Sequence, residues 1–521
     1  MSIIYKAYDY IKNNKYKCLI VASISAIILL TLVRTIHDTV NPLMVNAELH
    51  FLKPMTVILF AVLLIGFLCL YFGISKWKAE KVFLCLGIFF GIIYSLLLPP
   101  FTSPDEAVHV DTVYNYSSKL LGEQTVDENG AVLYREDDSL YEHNDQHLPN
   151  ARSYSLMFHN FGNMDHSEGV VSMSRAPQNV SALAYIPQII GVTLARLFNL
   201  GNIQMLLWGR WFALAFFIVL VYWAIKLAPI GKELLMVVAL LPMTLQQVCS
   251  MSYDSNVLTL AFLYFGILMY LIFDANEVTW KHILILFVLF ALIAPGKIVY
   301  LVLALMLFMI PASKFKNKLH KILGMFLSLS GGAAIILLTR FQTVVSVGSG
   351  SSSMLTEQAT YSLGYLLHNP YQIVEVVYGT IISQGTYYIE TMLGQYLGWL
   401  EIMVPGYIIY GFVVLIVLSV IKNEEEDKVL SPFQRFWAVG VIGVITCMIF
   451  YALLIDWTPL GQYYVAGVQG RYFLPMLPFL VILLKNNFIV MKQNVTKYIY
   501  AGLYILQYLS IYHVYVTIIS R

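Results

Sequence analysis

Residues 82–109 read VFLCLGIFFGIIYSLLLPPFTSPDEAVH, and this stretch decides how the rest of the chain is read. Its first part, 82–98, carries no charge and has about the 17 to 25 residues a helix needs to cross the hydrocarbon of a bilayer. Pro99, Pro100 and Pro104 then stop the helix. A proline lacks the helical N–H and stiffens the backbone before it, so Asp105 and Glu106 leave the membrane at a defined depth rather than on a loose tether. Ser103-Pro104-Asp105-Glu106 also has the form of a helix start, with proline at its first position and acids in its first turn. One string can serve both purposes.

Composition extends this reading to the whole chain. Of 521 residues, 59% are apolar and 12% are Asp, Glu, Lys or Arg, against about 45 to 50% and about 25% in soluble domains. That excludes a soluble protein and makes a lipid bilayer the solvent. Thirty-two basic and thirty acidic residues leave a net charge of +2, so no basic excess points to a nucleic-acid partner. The five cysteines sit in apolar stretches without CxxC spacing, which speaks for packing rather than a disulfide framework or a zinc site.

Apolar runs at about 18–36, 54–75, 82–98, 204–225, 233–250, 256–273, 320–340, 402–421, 434–455 and 498–519 predict ten spanning helices. The first is expected to be a retained anchor, because further spans follow it and no small-residue cleavage site does. Between 282 and 311 the apolar run is broken by Ala294-Pro295-Gly296-Lys297, which predicts two short helices joined by a tight tip. A short span is expected at 468–484. The fold class is therefore an all-α polytopic membrane protein of about thirteen transmembrane helices. Segments 1–17, 76–81, 226–232, 274–282, 312–322, 422–435 and 485–497 hold 20 of the 32 lysines and arginines. Threading puts all seven on one side, with the N-terminus inside and the C-terminus outside. This requires 182–198 to lie in the outer interface. The segment 371–400 is expected to be a second interfacial piece.

On the outer side, 99–181 carries thirteen acidic residues against Lys119, Arg135, Arg152 and Arg175, with five of the eleven histidines. It reads as an acidic aqueous subdomain, partly folded against the membrane. Unusual polar residues at other span ends face the same way. Tyr253-Asp254-Ser255-Asn256 joins two spans, as any turn would. Lys297 sits at the broken tip, where it either snorkels or binds. Gly398-Trp399-Leu400-Glu401 is an aromatic anchor or a stacking wall for a sugar ring. Gln469-Gly470-Arg471-Tyr472 places an arginine at membrane depth. Such an arginine needs a partner, either one of these acids or a phosphate, whose oxygens match the guanidinium fork. The run 348–353 lacks the spacing of a phosphate loop and reads as a linker or lid. Glu424-Glu425-Glu426-Asp427 reads as a solvated charge run.

Pro104-Asp105-Glu106 with His109, the Asp254 turn, the Lys297 tip, Gly398-Trp399-Leu400-Glu401 and Gln469-Gly470-Arg471-Tyr472-Phe473-Leu474-Pro475 occur in the order seen in a family of bacterial polytopic membrane proteins, which this chain resembles. The family is catalogued as domain of unknown function 2142. The similarity runs from about 82 to 486, leaving a two-helix segment at 1–81 and one helix at 487–521 outside a core with outer loops 99–181 and 341–401. That family in turn is similar to the GT-C superfamily of glycosyltransferases, which use lipid-linked sugar donors and carry an acidic motif in the first large outer loop. The resemblance implies that Asp105 or Glu106 corresponds to that motif. It also implies a site in the cell membrane facing outward.

Applied to these residues, the expectation is transfer of a sugar from a polyprenyl-phosphate donor to a cell-envelope glycan or lipid acceptor, with inversion. Asp105 would serve as general base and Glu106 as its partner or as a ligand for acceptor or metal. Arg471 and Lys297 would face phosphate, and His109, Asp254, Gln469, Trp399 and Tyr472 would contact substrate. A divalent cation is permitted by the acids, but no coordination shell can be counted from sequence. A glycoside hydrolase needs two separated carboxylates, and adjacent residues point apart; Asp254 or Asp456 would have to supply the second. The alternative from another class is a transporter or flippase for lipid-linked saccharides, which ordinarily shows internal repeats and mid-membrane polar residues. A scaffold within an envelope-assembly complex is a third reading.

Overall fold

The computed structural model describes residues 15–73, 77–139, 148–162, 169–347, 360–424 and 426–521. The glycine-rich run 348–353 and Glu425 of the acidic run lie outside the described residues. Sixteen principal helices are labelled in chain order. They are α1 (Lys15–Thr35), α2 (Leu52–Gly73), α3 (Ala79–Leu97), α4 (Glu106–Leu121), α5 (Ala151–Asn160), α6 (Ile186–Leu197), α7 (Asn202–Leu227), α8 (Lys232–Ala239), α9 (Pro242–Val248), α10 (Asp254–Phe273), α11 (Trp280–Ile293), α12 (Lys318–Val347), α13 (Pro370–Leu393), α14 (Gly406–Val420), α15 (Pro432–Asp456) and α16 (Thr496–Ile519).

Among the described residues, eight helical stretches are long and apolar enough to cross a membrane. They are Cys18–Leu43, Ala47–Tyr71, Ala79–Leu97, Asn202–Leu227, Asp254–Phe273, Lys318–Leu338, Pro432–Asp456 and Thr496–Ile519. The protein is thus an all-helical, multi-pass membrane protein. Local chemistry sets the helix ends. Leu98, before two prolines, is extended and ends α3, as a residue preceding proline must tend to be. Ser431 and Gln434 form a capping box over Pro432 at the start of α15, satisfying backbone donors the first turn leaves open.

The expected break after α11 is present. A 3₁₀ stretch, Ile298–Met309, follows the Ala294–Lys297 tip. The span expected at 233–250 differs. It is two short helices, α8 and α9, because Pro242 has no N–H to continue the first and instead opens the second. Leu234 to Leu241 are all fully buried, so this segment is the interior of the bundle rather than a lipid-facing rod. The segment 182–198 is a 3₁₀ turn and the short α6. The segment 371–400 is mostly α13, followed by a small antiparallel hairpin, β3 (Tyr396–Leu397) with β4 (Ile402–Met403).

Burial ranks the helices around one axis. In α10 83% of the spanning window is buried, against 11% in Cys18–Leu43, so α10 is central and α1 peripheral. Close approach holds α10 to α7: a Cβ on Gly266 would lie 2.4 Å from the Ala224 carbonyl oxygen. The described residues of the acidic segment 99–181 form α4, α5 and the antiparallel pair β1 (Leu133–Arg135) and β2 (Val170–Ser172). Its core holds several ion pairs. Asp111 meets Arg175 at 2.7 Å, Glu123 meets Arg135 at 2.6 Å and also Arg196, and the Arg196 guanidinium lies 3.9 Å above a stacked Tyr114–Tyr134 pair.

The two ends of the bundle differ. From Asp254, the twenty residues of α10 cover about 30 Å, and at the far end Lys428 pairs with Asp274. There too, Lys485 pairs with Glu426, and 422–423 run parallel to 490–491 as β5 (Lys422–Asn423) and β6 (Val490–Met491). Three of the lysine-bearing loops, 274–282, 422–435 and 485–497, therefore share the end opposite Asp254.

Candidate functional site

Four segments distant in sequence bring charged residues together at the Asp254 end. Asp254 is the first residue of α10, Lys297 caps the Ile298–Met309 stretch, Arg471 lies in the 3₁₀ turn Gly470–Met476, and Asp105 precedes α4. Lys297 Nζ is 2.8 Å from Asp254, and Arg471 Nη2 is 3.5 Å from Asp105 Oδ2. The Tyr472 ring lies under both cations, 4.0 Å from Lys297 Nζ and 5.4 Å from the Arg471 guanidinium carbon. Its carbonyl accepts the Tyr300 hydroxyl at 2.6 Å. Glycine makes the approach possible, since a Cβ on Gly470 would sit 2.0 Å from the Tyr388 carbonyl oxygen of α13.

Asp105 does not cap α4. Its φ is +61° and its side chain makes no hydrogen bond to the first turn. Phe101 is likewise left-handed, with φ +70°. A non-glycine residue held there costs about 1 to 2 kcal/mol, so the surroundings must enforce it. Glu106 does so. Arg210 of α7 grips it bidentately, Nε to Oε1 at 2.8 Å and Nη2 to Oε2 at 2.5 Å, and the Phe101 and Met251 backbone amides donate to the same carboxylate at 2.9 and 3.0 Å. Arg210 also donates to the carbonyls of Leu98 and Pro99. The proline-rich exit is tied at both ends to one buried ion pair. Glu106, expected beside Asp105 as a catalytic partner or ligand, is instead fully buried and turned the other way, with both oxygens occupied. Arg210 escaped the sequence reading, although an arginine inside an apolar run announces a buried partner.

The other expected residues surround the rim. His109 is buried, and Nδ1 lies 2.7 Å from the Tyr185 hydroxyl, which donates to Gln178 at 3.0 Å. With its one proton committed there, the phenol accepts from Nδ1–H, leaving Nε2 as the basic nitrogen. Burial pushes the His109 imidazole down to about 4, so it is neutral at pH 7. Trp399 donates from Nε1 to the Phe101 carbonyl at 3.1 Å and is 37% exposed. Gln246 holds its hairpin by exchanging two hydrogen bonds with Gly398. Asp456 is the last residue of α15.

Several buried polar atoms here have no partner: Gln247 Oε1, Gln469 Oε1 and Arg471 Nε. Such orphans are rare in native interiors and ask for an explanation. Gln247, Asp254, Lys297, Tyr300 and Arg471 enclose a space of about 10 Å³, room for roughly one water molecule. Beginning at Phe473, an apolar groove of about 180 Å³ runs between α13 and α15 past Met476, Leu477 and Leu480. A larger apolar cavity of about 510 Å³ lies between α2 and α3 under Phe158. It is lined by no acid, base or cation. Among the described residues no group of three His, Cys, Asp or Glu side chains is arranged to hold a metal ion.

No curated protein and no solved structure matches this chain. The sequence profile of one family, described as a predicted membrane protein and as domain of unknown function 2142, matches residues 88–480. That segment runs from within α3 to just beyond the Arg471 turn, takes in every residue of the charged rim and exceeds half of the sequence, so the chain belongs to this family.

Proposed function

We propose that the protein is a glycosyltransferase of the bacterial cytoplasmic membrane. It would take a sugar from a polyprenyl-phosphate donor and pass it to a glycan or lipid acceptor of the cell envelope. The observation that carries this reading is the pairing of an exposed carboxylate, Asp105, with a buried guanidinium, Arg471, beside a second cation, Lys297. Transfer from a phosphate leaving group needs one base and positive charge more than it needs an acid. In the proposed step Asp105 takes the acceptor hydroxyl proton and the acceptor oxygen bonds to the anomeric carbon from the opposite face. The bond from that carbon to the phosphate oxygen breaks, with its electron pair leaving on phosphate beside Arg471. The groove lined by Phe473, two residues along the chain from Arg471, suits the first units of the prenyl chain because it is apolar. In this proposal His109, Asp254, Gln469, Trp399 and Tyr472 would contact the sugar, and Glu106 keeps Asp105 in place.

The topology proposed with it has thirteen crossings, the rim outside and the N-terminus inside. Clustering of three lysine-bearing loops at the far end supports that orientation. A nucleotide sugar does not cross the bilayer, which is why an outward site would require a lipid-borne donor. Membranes containing the Asp105→Asn variant should lose transfer by about 10² to 10⁴-fold while the protein inserts and accumulates normally. Full turnover by that variant removes Asp105 from the chemistry. Movement of an intact lipid-linked saccharide across vesicles, without any change in its glycosidic bond, would favour the flippase instead.

A further inference from the structure

The rim cations are already engaged. Lys297 stands 2.8 Å from Asp254, and Arg210 is enclosed with Glu106. Among the described residues that leaves Arg471 to receive an anion. Its side chain is 5% exposed, and the carboxylate over it is Asp105, itself 59% exposed. At 3.5 Å the contact is long, since charge-assisted bonds of this type ordinarily run about 2.7 to 2.9 Å. Arg471 Nε is buried without a partner, so the guanidinium is under-satisfied even with Asp105 in place. The space beneath it holds about one water, too little for a phosphate to enter from below. A phosphate and the Asp105 carboxylate therefore compete for one fork.

Resting on the donor proposed above, we infer that Asp105 occupies the anion seat of Arg471 until the donor phosphate displaces it, so that donor must bind before the base is free. The Asp105–Arg471 contact is half-exposed and weak, which makes displacement easy. Once displaced, the Asp105 carboxylate is released from Arg471 and available to the acceptor hydroxyl. The order of events then follows from charge: an acceptor arriving first meets a carboxylate already engaged by Arg471. An acceptor arriving second meets a free one.

The test uses the full chain in nanodiscs and farnesyl phosphate as the probe, with affinity read by calorimetry. Asp105→Asn removes the competing charge, and asparagine tolerates a left-handed backbone as aspartate does, so the fold is kept. The expected result is unusual for loss of a base: transfer disappears while farnesyl phosphate binds more tightly, by on the order of tenfold. Glu128→Gln, which neutralises an exposed acid of the outer subdomain, should leave affinity at the wild-type value. Equal or weaker binding by Asp105→Asn overturns the inference and leaves the donor reading standing. So does an equal gain from Glu128→Gln, because the effect would then be general charge. Failure of farnesyl phosphate to bind either wild type or Asp105→Asn brings down the donor reading, and this inference with it.

Discussion

Two neighbouring residues, Asp105 and Glu106, each meet an arginine, and the two pairs behave as opposites. Around Arg210 every donor and acceptor is matched: the carboxylate takes two guanidinium bonds and two backbone amides, and no solvent reaches it. Around Arg471 the match is incomplete, with one long contact, one orphaned Nε and an exposed carboxylate. Completeness separates a structural ion pair from one available for a ligand. A buried pair with all its hydrogen bonds made resists change, because removing one partner strands the other charge. The half-made pair has capacity left.

The largest effect expected from this contrast is on folding. Glu106→Gln or Arg210→Met should lower stability by about 3 to 5 kcal/mol, while Asp105→Asn shifts it by less than about 0.5 kcal/mol; thermal unfolding in detergent measures both. Equal losses would erase the distinction between the two pairs. Next comes pH. In the unfolded chain the His109 imidazole takes up a proton near its ordinary 6.5, whereas the buried ring resists until about 4. Between these values the unfolded state binds more protons, so stability falls as pH drops from 6.5 toward 4, by on the order of 3 kcal/mol at most. Above 6.5 there is no contribution. Melting curves of His109→Gln should lack that slope.

Arg471→Ala is expected to weaken donor use by about 1.5 to 3 kcal/mol, the range for a hydrogen bond to a charged group, with little change in the dependence on acceptor. Separate titrations of donor and acceptor decide this. The smallest effect is at the hairpin. Trp399→Phe removes the bond to the Phe101 carbonyl and should cost about 1 kcal/mol of stability, readable as a small drop in melting temperature.

Much of this was legible in sequence because the bilayer imposes simple rules. Polar residues at span ends are expensive unless they gather, and Asp105, Asp254, Lys297 and Arg471 do gather. The Ala294–Lys297 break announced itself through proline and glycine. Less legible was the partition of work between Asp105 and Glu106, since adjacent acids look alike until backbone angles are known. The clue lay in Arg210, a lone guanidinium within an apolar run, which requires a buried acid and leaves Glu106 as the one facing inward. The stretch 233–250 misled for a related reason. Its leucines and valines satisfy any hydropathy ruler, but Pro242 cuts it, and a segment apolar on every side belongs inside a bundle as readily as in lipid.

The 3₁₀ winding of Ile298–Met309 has a consequence for reach. Twelve residues at about 2.0 Å each extend about 24 Å, whereas α-helical winding would give about 18 Å. The tighter coil lengthens the run that begins after Lys297, the residue paired with Asp254. Rewound as an ordinary helix, the same twelve residues would span roughly 6 Å less.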